Sequence, residues 1–178
     1  MSKQTMTDPR AAAASDDHWA AVEEATELLV EERYVEALIE LRRVIKSDPQ
    51  NPYAYHYLGV ALFETGELGA ARDAYRAALR LAPDYLGARV GLSHTLRTLG
   101  DAEGALREAK EALRRFPKDG DALHAAGLAH AARGNKHLAK DHLERYLQSS
   151  PEAESALEVR QILEMLGISD DDGPVHFE

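Results

Sequence analysis

Eight histidines and a surplus of carboxylates are the side chains through which this 178-residue chain could do chemistry. Chelation from one helix needs ligands three or four residues apart, so that both leave the same face. His124 and His130 are six apart and His137 and His142 five apart, and neither spacing meets that need. These histidines are expected to be solvated or to line a groove, with no metal and no cofactor. The carboxylate pairs Glu23/Glu24 and Glu31/Glu32 lie side by side without converging on an acid–base arrangement, and they read as a solvated face. With no cysteine in the chain, disulfides, thiolate metal ligands and a thiol nucleophile are excluded together. No Gly-x-Ser-x-Gly elbow, phosphate-binding loop or dinucleotide glycine pattern occurs. The expectation is a protein that is not an enzyme.

Charge narrows the partners. Asp and Glu number 31 against 21 Lys and Arg, a net charge of −10, which disfavours a nucleic-acid partner because phosphate binding needs a cationic face. The longest largely apolar stretch, Ala122 to Ala132, falls well below the ~20 residues that span a bilayer, so no membrane insertion is expected. Residues 1–17 read as a flexible tail without an apolar signal segment, and the expected compartment is the cytoplasm. Basic residues recur at Arg42, Arg76 and Lys110 and again at Lys46, Arg80 and Arg114. Near helix C-termini these are favoured by the dipole; docking of an acidic partner or of the chain's own acidic tail on them is the alternative.

The elements that must position these side chains are written as a period. Pro49, Pro83, Pro117 and Pro151 stand 34 residues apart, and the same step recurs in Gly66, Gly100 and Gly134, in Ala37, Ala71, Ala105 and Ala139, and in Ile45, Leu79, Leu113 and Leu147. Each proline follows a helical apolar pattern and precedes a capping residue, expected to be Asn51, Asp84 and Asp119, which is a helix stop followed by a helix start. The glycines fall where a first helix should end in the left-handed conformation, with Asp101 and Asn135 as N-caps of the second. Each unit is therefore helix, tight turn, helix. The alanine columns, with Ala25, Gly59, Ser93 and Gly127, let the paired helices approach closely. The aliphatic column, with Leu28, Leu62 and Leu96, is apolar surface that only stacking on a neighbouring pair can hide. Asp16 or Asp17 is expected to cap the first helix. A last helix after Pro151 carries Leu157, Ile162, Leu163 and Leu166 and stops at Gly167.

These columns resemble the tetratricopeptide repeat (TPR), whose unit is 34 residues. The best copy, Pro52 to Tyr85, shows Tyr55, Leu58, Gly59, Leu62, Ala71, Tyr75, Ala78 and Pro83 on the family's spacing; the other copies run 18–51, 86–119 and 120–153. The first copy departs with Glu24 in the Leu column and Glu32 in the Gly column, and the third with Arg89 in the Trp column. The resemblance implies an all-α fold, an α-solenoid of antiparallel helix pairs wound as a right-handed superhelix, with residues 154–167 as a capping helix and 168–178 as an acidic tail.

In the family, ligands lie against the first helix of each pair. The corresponding places here include Trp19, Val22 and Thr26; Tyr53, His56, Tyr57, Val60 and Phe63; His94 and Arg97; and His124 and Leu128. The family's clamp for a C-terminal carboxylate needs Lys and Asn in the first helix, Asn in the next and a basic pair in the third. Those places read Val22, Thr26, Tyr57, Gly87 and Gly91, and one repeat later His56, Val60, Gly91, Asp121 and Ala125, so no such clamp is implied. What the resemblance implies is a non-catalytic adaptor that binds a partner's peptide on an aromatic and aliphatic wall, with burial of aromatics such as Tyr57 and Phe63 between repeats as the competing reading. A dedicated secretion or assembly chaperone and a self-assembling scaffold, with homo-oligomers left open, are the other readings.

Overall fold

The computed structural model describes residues 16–167; the N-terminal tail before Asp16 and the acidic tail from residue 168 lie outside the described residues. Among the described residues every regular element is a helix. Contacts divide the chain into two units, residues 1–101 and 102–178. The first holds α1 (Asp16–Ala20), α2 (Glu23–Val30), α3 (Tyr34–Ser47), α4 (Pro52–Glu64), α5 (Leu68–Leu81) and α6 (Leu86–Thr98). The second holds α7 (Ala102–Arg115), α8 (Gly120–Ala132), α9 (Lys136–Gln148) and α10 (Ala153–Met165).

The turns repeat because the same hydrogen bonds repeat. At the end of α4, Gly66 has φ +81° and Glu67 N–H donates to the Leu62 carbonyl at 2.8 Å; Gly100 with Asp101 and Leu96, and Gly134 with Asn135 and His130, do the same at 2.9 Å. This six-to-one bond over a left-handed residue is the Schellman ending of a helix. After α2 the pattern is kept although no glycine is there: Glu32 takes φ +58° and Arg33 N–H reaches the Leu28 carbonyl at 2.8 Å. Ser150 likewise takes a left-handed φ, +59°.

The helix starts are less uniform than the columns suggest. Asn51 caps α4, its Oδ1 accepting from Tyr53 N–H and Ala54 N–H at 3.0 and 3.1 Å, while its Nδ2 donates to the His18 carbonyl at 2.8 Å. Asp119 caps α8 through Ala122 N–H. Asp84 does not hold the expected capping position of α6: the helix starts at Leu86 and the N-cap is Tyr85, 34 residues after Asn51, whose side chain makes no capping bond. Asn135 stands at the N-cap of α9 without capping it, because its amide turns toward His130 Nδ1 at 3.5 Å. The expected first helix is broken. Val22 N–H bonds the Trp19 carbonyl three residues back, tightening the chain at Ala21–Val22, so α1 and α2 are separate and the count among the described residues is ten rather than nine. Asp16 and Asp17 lie inside α1 rather than capping it.

In the first unit the core is Val22, Ala25, Ala37, Leu38, Leu41, Ala61, Leu62, Ala71, Tyr75 and Ala78, with Leu86, Leu92 and Leu96 of α6. Gly59 and Gly91 form a notch for Tyr75: a Cβ would stand 2.8 Å from the ring at Gly59 and 2.5 Å at Gly91. In the second unit Leu123, Leu128, Leu143, Tyr146 and Val159 cluster, with Leu113, Leu147, Ile162 and Leu163 against them. Gly127 leaves its place to the Leu143 side chain, whose Cδ2 a Cβ would meet at 2.6 Å. Helix α10 buries Ala156 and Val159, whereas Leu157, expected in its apolar stripe, faces water. Of that stripe Leu157 alone turns outward, about 100° round the helix from Ala156, while Ile162 and Leu163 pack inward with Val159.

Candidate functional site

The places expected to face a ligand fall in both units. Those of the first unit converge on aromatic rings. On α4, Tyr53, His56, Tyr57, Val60 and Phe63 are linked by three- and four-residue spacings, with His56 and Tyr57 adjacent, and so share one side. Trp19 of α1 lies edge-on to Tyr53 at 5.4 Å and to Tyr57 at 6.1 Å between ring centres. Tyr53 meets Tyr85 at 5.4 Å, and His56 lies 4.8 Å from Tyr57, 5.8 Å from Tyr75 and 4.7 Å from Tyr85. Edge-to-face pairs at these separations are favourable beyond the area they bury.

Burial sorts the cluster into support and surface. Trp19 keeps 46% of its surface in water, and Tyr57, Val60, Phe63, His94 and Arg97 are half-buried. Tyr53 is only 6% exposed and offers a ligand almost nothing, so its place is behind the wall rather than on it. The aromatics named as candidates for burial, Tyr57 and Phe63, are the ones that keep access. His56 Nδ1 is enclosed without a hydrogen-bond partner, and burial lowers the imidazole to about 4, so the ring is neutral at physiological pH. Arg97 Nε is enclosed and unbonded as well.

Two members of the cluster escaped the sequence reading. Tyr85 occupies the capping column and spends its ring on Tyr53 and His56; an aromatic where Asn51 and Asp119 stand was the available signal. Tyr75 figures in the sequence only as a residue on the family's spacing. Gly87 and Gly91, which first registered as missing clamp residues, make room: a Cβ at Gly87 would lie 3.2 Å from the His56 ring.

In the second unit His124 stacks on Tyr146 at 4.8 Å with ring planes 22° apart. His130 contradicts the expectation of a solvated or groove-lining residue. It is buried and stacks on His142 at 5.4 Å, and burial first, then the His142, Lys110 and Arg133 charges, lower it to about 4. Helix spacing within α8 and α9 could not show this pairing, since the partners lie on different helices. Among the described residues no group of three or more His, Asp or Glu could hold a metal, and no helix is long and apolar enough to cross a membrane.

Tetratricopeptide-repeat family models match residues 22–85, 62–126 and 121–153, so the matches run unbroken from 22 to 153. No curated protein matches the chain. Similar solved structures include a thermophilic TPR protein of Thermus thermophilus, 26% identical over 84% of this chain and 80% of that one, with a TM-score of 0.70. The type IV pilus biogenesis factor PilW is 22% identical, covering 86% and 72%, with a TM-score of 0.75. The first TPR of Spaghetti (RPAP3), bound to the HSP90 peptide SRMEEVD, is 19% identical, covering 67% and 95%, with a TM-score of 0.62.

Proposed function

We propose, from the premise that this chain is a tetratricopeptide-repeat protein, that it is a non-catalytic cytoplasmic adaptor whose first unit grips a peptide segment of a partner protein. The observation that carries the reading is Trp19, 46% exposed and braced edge-on against Tyr57, beside the half-buried Val60 and Phe63. Large rings held by neighbours give contact area at little entropic cost, as hot-spot anchors do. The buried Tyr53, Tyr75 and Tyr85 hold that wall in place. The neutral His56 and the Arg97 guanidinium supply polar contacts to the peptide backbone. His94, on the same side of α6 as Arg97, is a further contact residue. A peptide structure of a TPR domain, the RPAP3 complex, is the precedent for this class of ligand. The places that would clamp a terminal carboxylate hold Val22, Thr26, Tyr57, Gly87 and Gly91, so the ligand is an internal segment with apolar anchors.

A peptide-display library selected on the full chain tests this. Enriched sequences should carry aromatic or aliphatic anchors, and Tyr57→Ala with Phe63→Ala should weaken them by more than ~2 kcal/mol without loss of helicity. Selected peptides that bind this double variant as tightly as wild type would remove the wall from the site. Recovery of one unstable client from the native source would favour the dedicated chaperone, and concentration-dependent self-association the scaffold.

A further inference from the structure

Helices α2 and α3 carry an exposed aliphatic set that the repeat does not explain. Val30, Val35 and Ile39 are 85%, 67% and 64% exposed. In the other three copies the Val30 place is Glu64, Thr98 and Ala132, the Val35 place Gly69, Glu103 and His137, and the Ile39 place Asp73, Arg107 and Asp141. The fold thus accepts polar or small residues at all three positions, and only this copy puts large aliphatic side chains into water there. Val35 and Ile39 are one turn apart on α3. Ile39 lines a cavity of about 420 Å³ together with Leu28, and Val30 lines a neighbouring one of about 320 Å³ together with Thr26; Glu27 and Glu31 border both.

The rim of this surface is anionic. Glu24, Glu27, Glu31, Glu36 and Glu40 line the larger cavity, and its one lining cation, Arg33, is held between Glu31 and Glu36. Arg43 nearby is engaged by Glu40 at 2.7 Å and approaches Glu24 at 3.7 Å. Five carboxylates therefore face two cations, both in use. A second copy of the chain would bring the same glutamates against these, and like charges across an interface oppose association. Residues 170–172, three aspartates, are repelled for the same reason.

We propose that this side of the first helix pair is a second docking surface, separate from the aromatic wall, and that its occupant is a cationic amphipathic helix of a partner protein. Its aliphatic side chains would cover Val30, Val35 and Ile39 while its lysines or arginines meet the glutamate rim, the helix-in-groove mode of recognition. An adaptor with two such surfaces holds two partners at once.

The probe is a fluorescently labelled fourteen-residue amphipathic helix made of leucine and lysine, titrated into the full chain at physiological salt. Val35→Ser with Ile39→Ser, both on exposed side chains, should weaken binding at least tenfold, and so should Glu24→Lys with Glu27→Lys. Tyr57→Ala should leave the affinity within twofold, and circular dichroism should be unchanged in all variants. Equal binding by the serine variant, or loss of binding in Tyr57→Ala instead, overturns the assignment. So does a concentration-dependent dimer in sedimentation that the serine variant abolishes, which would make the occupant a second copy. Binding that rises tenfold when residues 1–15 are deleted would make the occupant the chain's own N-terminal segment, and equally overturns it.

Discussion

Replacing Gly91 by alanine tests how tightly the wall is supported. In the interior of α6 the change should by itself stabilise the helix by about 1 kcal/mol, because alanine loses less backbone entropy than glycine. Packing opposes this. The new Cβ would stand 2.5 Å from Tyr75 Cε1 and Cζ, where a carbon pair prefers about 3.5–4.0 Å, so the ring must retreat by roughly 1 Å. Gly59 bears on the same ring edge from α4, and Tyr75 is 4% exposed, so there is no empty space to absorb the movement. Overpacking of this kind costs about 1–3 kcal/mol, and the balance is a net loss of about 0–2 kcal/mol. Gly69 of α5, with nothing within 4 Å of its Cβ position, is the control, and Gly69→Ala should gain a few tenths to ~1 kcal/mol. Urea unfolding followed by circular dichroism reads both. In a Tyr75→Leu background the ring edge is gone and Gly91→Ala should turn from destabilising to stabilising. A higher urea midpoint for Gly91→Ala in the otherwise wild-type chain would refute the notch.

Acid should loosen the protein through its desolvated histidines. His56 is lowered from 6.5 to about 4, so the unfolded chain takes the proton first; stability is complete above pH 6.5 and falls as pH drops toward 4, by up to about 3 kcal/mol for this ring. The difference in urea midpoint between pH 7 and pH 4.5 should shrink in His56→Phe, and an unchanged difference would mean that His56 takes up its proton without unfolding. At Glu32, held at φ +58°, glycine should stabilise by ~1 kcal/mol because it alone takes the left-handed conformation without a steric penalty. A thermal or urea midpoint at or below that of wild type would show that the Glu32 side chain repays its strain elsewhere.

The 34-residue architecture was legible because helix stops and starts are local: the Gly66, Gly100 and Gly134 turns and the Asn51 and Asp119 caps depend on a few neighbouring residues. What depended on a distant partner was not. Tyr85 falls in the capping column, but its ring serves Tyr53 and His56, some thirty residues earlier. His130 is buried because α9 brings His142 onto it, and Leu157 faces water because α10 turns Ala156, Val159, Ile162 and Leu163 inward instead. Within the candidate site, α4's own periodicity pointed to the side that carries Tyr57, Val60 and Phe63. Which ring on that side is support and which is surface was settled by Trp19 and Tyr85, outside α4, and Tyr53 went to the support.

Asn51 shows how a fold can narrow what a position will accept. Capping preferences alone treat Asn, Asp and Ser as near equals, and 68 residues later the same column is filled by Asp119. At position 51 the side chain is wholly enclosed and works in two directions, its oxygen accepting from the start of α4 and its nitrogen donating to the His18 carbonyl 33 residues earlier. An aspartate could keep the first role but, being an acceptor only when ionised, would set its carboxylate against the carbonyl in the second. A serine has one rotatable hydroxyl for two opposed tasks. Residues that are interchangeable as caps therefore cease to be so here, and the exchange rule for this column differs from copy to copy within a single chain.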